Sequence, residues 1–180
     1  PLEQIDEDSF PKGLNITQEC NEALKMLKGN REERIQGLRI FCEYRDSRSF
    51  PLLLPLLDQP CPVERMSVVY ALGRNPCPTA VEKLVSLLET DDNAYVRRAT
   101  AWSLANYDNQ IVLKPLINAL KNDVAAVRLW SSSSLAEIGN VSLENAQLAA
   151  EQLLISLKID NEPGVRSNCI WSLCRLYEKL

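Results

Sequence analysis

Six cysteines are the residues of this sequence best suited to chemistry: Cys20, Cys42, Cys61, Cys77, Cys169 and Cys174. Two of them stand in identical Pro-Cys-Pro frames at the ends of PCPVERMSVVYALGRNPCP, residues 60–78. Matched, rigidly framed thiols suggest half of a metal site or one disulfide. Histidine is absent from the 180 residues. That excludes Ser-His and Cys-His nucleophile pairs, a histidine proton shuttle and a mixed Cys/His zinc site. A metal would need thiolates or carboxylates alone, yet neither a C-x-x-C pair nor any four-thiolate spacing occurs.

The elements between the frames decide their meaning. Pro62 suits the first turn of a helix. That helix runs to about Gly73, with Pro76 and Pro78 after its end. About twelve residues of helix place Cys61 and Cys77 roughly 18 Å apart. A disulfide needs Cα atoms within about 7 Å, so the two thiols are expected neither to pair nor to share a metal. Cys77 is expected near Cys42, on the same edge of an adjacent unit. Cys169 and Cys174, five apart on one helix, diverge in direction. No secretory signal is evident, so reduced thiols in core or loop positions are expected.

Composition narrows the class. Hydrophobic residues make up 46% and charged residues 24%, enough for a real core. The net charge is −4, which speaks against nucleic acid or an anionic membrane as partner. No apolar run approaches the roughly 18 residues of a membrane helix. The opening PLEQIDEDSF is acidic where a signal peptide would be basic.

The chain aligns on itself. Arg34, Arg65, Arg97, Arg128 and Arg166 fall in one column, at spacings of 31, 32, 31 and 38. Seven residues after each stand Phe41, Leu72, Leu104, Leu135 and Leu173. Upstream of each Arg lies a second apolar helical pattern: EALKMLKG, PLLLPLLD, AVEKLVSLLETDD, VLKPLINALKND and AAEQLLISLKID. Each unit thus reads as helix, short Asp/Asn turn, helix. Thr79 with Glu82 has capping-box spacing. Asn30, Asp92 and Asp123 are placed to cap second helices, and Gly73 and Gly139 to end them. Sustained strand alternation is absent. One hairpin cannot bury its own apolar face, but five stacked hairpins can.

The expected fold is therefore all-α: an α-α superhelix, or α-solenoid, of about five helical hairpins. The units fall at about 17–46, 47–76, 77–108, 109–140 and 141–180, after an irregular segment, 1–16. The 38-residue spacing marks a longer loop or longer first helix around GNVSLENAQ. The last helix carries Trp171, Leu173 and Leu176 with no polar capping helix after it. Such an end is expected to meet further repeats or to serve as a docking or dimer contact.

The repeat copies VRRATAWSLA, VRLWSSSSLA and VRSNCIWSLC, with VYALGRNPCPTAV, carry a resemblance. They resemble HEAT repeats of the phycobilisome-lyase type over about residues 20–178. ALGRNP at 71–76 and AVRLW at 126–130 are similar to a cyanobacterial and chloroplast group of short HEAT proteins. The resemblance implies a scaffold rather than a reaction, in the cyanobacterial cytosol or chloroplast stroma. A protein of the photosynthetic or phycobilisome apparatus is the partner it suggests. It leaves two alternatives: a bilin lyase-type subunit or chaperone, and an iron–sulfur assembly or carrier protein. No resident cofactor is expected on the scaffold reading; a bilin or a cluster would accompany the others.

The Arg column admits two readings, an anion-binding stripe or an inter-repeat ion-pair ladder. Acids and amides five or six residues upstream of the late arginines (Asp91, Asp92, Asn122, Asp123, Asp160 and Asn161) favour the ladder. At 100° per residue, Val96, Ala99, Thr100, Ser103 and Leu104 share the packed stripe of the third unit's second helix. Arg98 and Trp102 point away from it. Followed through the repeats, the Trp102 column reads Arg39, Tyr70, Trp102, Ser133 and Trp171. The Arg98 column contributes Met66, Arg98 and Leu129. The HEAT resemblance implies that second helices line the concave surface, so Arg39, Met66, Tyr70, Arg98, Trp102, Leu129, Ser133 and Trp171 are the expected partner-binding residues of that face. The competing expectation is that curvature buries these rings between neighbouring helices. Ser133, within the run Ser131–Ser134, should leave a notch between Trp102 and Trp171 for a partner side chain or helix. The same serines could instead simply permit close helix contact, each hydroxyl bonded one turn back.

Overall fold

The computed structural model describes residues 16–107 and 110–180, and every regular element among them is helical. The expected irregular segment lies outside the described residues except for Ile16, which opens a helix instead. The expected boundary at 108 and 109 lies outside them too.

The first hairpin is α1 (Ile16–Met26) and α2 (Arg31–Glu43). A complete capping box starts α2: Asn30 Oδ1 accepts from the N–H groups of Glu32 and Glu33, and Glu33 Oε2 accepts from Asn30 N at 2.7 Å. The second hairpin has a broken first arm. Its α3 (Phe50–Leu53) is one turn long, between 3-10 turns at Ser47–Ser49 and Leu54–Asp58. Pro51 and Pro55 are the cause, since a proline cannot donate to the carbonyl four residues back and its ring crowds it. The partner, α4 (Pro62–Arg74), begins on Pro62 as expected.

Then come α5 (Val81–Thr90) with α6 (Ala94–Leu104), and α7 (Leu113–Asn122) with α8 (Ala125–Gly139). The last pair is α9 (Leu143–Ile159) with α10 (Pro163–Leu176). At 17 residues α9 is the longest first arm, which accounts for the long repeat spacing. Several local expectations are corrected. Pro78 opens a 3-10 turn that moves the start of α5 past Thr79 to Val81, so the Thr79–Glu82 box does not form. Thr79 Oγ1 instead lies 3.0 Å from Cys77 Sγ. Asn93, not Asp92, caps α6, accepting from Tyr95 N at 2.9 Å. Asp123 accepts from Val124 N, but its carboxylate is turned to Arg97 and α8 starts without a side-chain cap. Gly73 lies one residue inside the end of α4, whereas Gly139 ends α8 as expected.

One core runs through the stack from Cys20 to Leu176. The five residues of the expected α6 stripe are all fully buried. Consecutive second arms (α2, α4, α6, α8, α10) pack more closely than consecutive first arms. The stack is therefore shorter along its second arms, which makes their side the inner face.

The arginine column forms the ladder. Arg34 bonds Glu64. Arg65 grips Asp91 through two bonds of 2.8 and 2.9 Å, Arg97 grips Asp123 at 2.8 and 2.7 Å, and Arg128 grips Asp160 at 2.7 Å twice. Each pair joins one hairpin to the next. The same guanidinium also donates to carbonyls of its own turn, as Arg97 does to Asp91 O at 2.8 Å. One planar fork thus ties two turns, a task suited to Arg rather than Lys. Arg166 donates only to the carbonyls of Asp160 and Asn161 among the described residues.

Candidate functional site

A cavity of about 380 Å³ opens on the inner face, where α6, α8 and α10 meet. Its walls include Trp102, Trp130 and Trp171, which are all the tryptophans in the sequence. Ser133, Ser134, Ala105, Asn106 and Glu137 complete the lining.

Local packing explains the opening. Ser134 donates to Ala101 O of α6 at 2.7 Å, and Ser172 of α10 donates to Ser132 O at 2.8 Å. These small side chains let α8 approach both neighbours at backbone contact. Asn168 Nδ2 lies 2.7 Å from the hydroxyls of both Ser132 and Ser133. Ser132 donates back to Leu129 O, but the other hydroxyls of the run make no such bond one turn back. The run therefore serves close contact, mostly by bonding across helices, and leaves the space beside Ser133.

Trp102 is half-buried, with its ring laid over Gly73 of α4. A Cβ at Gly73 would come within 2.5 Å of Trp102 Cζ3. The Tyr70 ring sits 5.4 Å from it, tilted by 56°. Tyr70 OH in turn accepts from Arg98 at 3.4 Å, and Arg98 stacks over Tyr95. Trp171 is 47% exposed, and the Arg175 guanidinium lies over it, 5.0 Å from the ring centroid. Arg175 also bonds Glu137 Oε1 at 2.8 Å.

Of the residues expected at the partner face, Trp102, Ser133 and Trp171 line the cavity together. Tyr70 extends the surface by its ring contact with Trp102, and Arg98 by its bond to Tyr70. Met66 and Leu129 are partly buried against the core, and Arg39 is exposed on α2, away from the notch. The competing expectation holds in part, because Trp102 is wedged between α4 and α6. Trp130 was hidden from sequence reasoning: its repeat column reads Gln36, Ser67, Ala99, Trp130 and Asn168, and Ala99 is fully buried. Glu137 and Asn106 were legible. They occupy the column one turn beyond the tryptophans, which reads Glu43, Arg74, Asn106, Glu137 and Arg175.

A larger cavity, about 450 Å³, lies on the ladder side between the third and fourth hairpins. Its guanidinium, Arg97, already commits its fork to Asp123, so it offers a ligand little that is free. The thiols are dispersed. Cys42 Sγ donates to Ser67 O, Cys77 Sγ meets Thr79, and Cys61 Sγ accepts from Arg31 Nη2 at 3.0 Å. Cys42 and Cys77 form no disulfide, and all six thiols are free. Among the described residues, no three Cys, Asp or Glu side chains converge to hold a metal ion, and no helix is long and apolar enough to cross a membrane.

No curated protein matches the chain. The family model for HEAT repeats matches it twice, over residues 21–105 and 81–174. Those spans reach into all five hairpins and include the whole ladder, and the chain belongs to the HEAT-repeat family.

Proposed function

We propose that this protein is a non-enzymatic scaffold or adaptor that binds a protein partner on its concave face, with the tryptophan notch as anchor point. The observation that carries this reading is the meeting of all three tryptophans around one open cavity. Exposed aromatic surface is costly in water and is the residue chemistry of binding hot spots. HEAT repeats commonly serve as protein-interaction scaffolds, in keeping with a preorganised surface rather than bond making. The resemblance in ALGRNP and AVRLW extends the proposal to a partner in the photosynthetic apparatus and to work in the cytosol or stroma without a resident cofactor.

Filling the notch tests the reading. Ser133→Trp should keep the helical circular dichroism of the wild type yet lose the partner that immobilised wild-type protein retains from native extract. Equal recovery by a folded variant would sink the proposal. The visible spectrum of freshly purified protein addresses the alternatives. Red absorbance would indicate a bilin, brown bands near the blue an iron–sulfur cluster, and a colourless preparation is the scaffold's expected outcome.

A further inference from the structure

We infer that the notch selects a cationic side chain, a lysine ammonium or an arginine guanidinium, presented by the partner; this rests on reading the notch as a binding site. Among the described residues, Glu137 is the only charged one lining the cavity, set among three indoles. Indole faces carry negative potential and attract cations. An anion would meet that potential and the carboxylate together. An aliphatic or aromatic side chain would cover the carboxylate without giving its Oε2, the oxygen not paired with Arg175, a partner, which is unfavourable. A cation satisfies both.

The chain itself shows the preference. Arg175 lies over Trp171 and bonds Glu137 Oε1, so one indole and this carboxylate already hold a guanidinium. Glu137 Oε2 takes no hydrogen bond from the described residues, and a carboxylate has room for several. Arg175 is 44% exposed at its side chain and does not line the cavity. It is therefore an incumbent at the rim, able to yield the carboxylate to an incoming charge. At about 380 Å³ the notch is at the small end of ligand sites, a fit for one long side chain. The net charge of −4 adds long-range attraction for a basic partner.

The test is selection of a random peptide library on the immobilised wild-type chain, with depletion on Ser133→Trp. Affinities are then read by tryptophan fluorescence, since every tryptophan lines the notch. Selected peptides should share one Lys or Arg. Its replacement by norleucine or citrulline should weaken binding about tenfold, between the exposed and the desolvated strength of a cation–π contact. Glu137→Gln should weaken binding several-fold, while Arg175→Ala should tighten it by removing the incumbent. A purely structural Arg175 would give the opposite sign. N-acetyl-arginine methylamide separates the sources: quenching by it alone shows that a free guanidinium suffices, and dependence on the peptide shows that flanking contacts are required. Either outcome supports a cation site if citrulline analogues fail. Peptides that depend on Ser133 but are anchored by an apolar or acidic residue would overturn the cation inference and leave the binding reading intact. Absence of any Ser133-dependent peptide would overturn both.

Discussion

Cys61 precedes α4 at its N-terminus, and the backbone N–H groups of Glu64 and Val63, with the Arg31 guanidinium, hold its thiol below the ordinary cysteine value. Burial pushes Cys42 and Cys169 up to about 11. A lowered value means more thiolate at neutral pH, and thiolate is the reacting species. Iodoacetamide at pH 7, followed by peptide mass spectrometry, should label Cys61 first and Cys42 and Cys169 last. Faster labelling of Cys174, which is more exposed, would show that access outweighs the helix terminus and Arg31. The Pro-Cys-Pro frames are thus helix boundaries, and only one of their thiols is placed to be reactive.

Gly73 shows how an element is shaped by its neighbour. It sits inside α4 with no turn to make. The space above it is filled by Trp102 and by Ser103 Cα, 3.2 Å from where a methyl group would stand. Glycine here allows α6 to close on α4, although it costs helix propensity. Gly73→Ala should destabilise the fold by about 1–3 kcal/mol through overpacking, read by urea unfolding. It should also displace the Trp102 ring and change the tryptophan emission of the folded state. A neutral or stabilising effect with unchanged emission would refute that packing role. Glycine after a helix and glycine under a neighbouring ring look alike in one sequence, and the repeat pattern alone favours the first.

Over the whole molecule the ladder ties each hairpin to the next, beside the shared apolar core and the hydrogen bonds of Ser134 and Ser172 between second arms. Arg128 is the main reason that Asp160 stays below the usual carboxylate range. For Asp123 burial acts upward, but the hydrogen bonds of Arg97 and Val124 N–H outweigh it and hold the carboxyl low. A carboxylate with a lowered folded value stabilises the fold above the unfolded value, about 3.9, and that contribution is lost as pH falls through the folded value. Urea unfolding should therefore show stability falling below about pH 4. Arg97→Ala leaves Asp123 poorly compensated and should cost about 3 kcal/mol at pH 7. Its deficit relative to wild type should shrink as pH falls and Asp123 takes up its proton. A deficit independent of pH would assign Arg97 to packing instead.

By itself the sequence determined the stacked hairpins and the ladder, because each recurs in register at spacings of 31, 32, 31 and 38 residues. A feature repeated in every unit can be read from any of them. The notch has no such redundancy. It needs Trp102, Trp130 and Trp171 from three helices, a glycine beneath one ring, and serines that draw α8 against both neighbours. Trp130 occupies a column whose equivalent in the third unit is buried Ala99, so its place at the notch followed from packing alone. Tertiary structure decided the site because cavities are made by differences between repeats, and those differences act only once the helices touch.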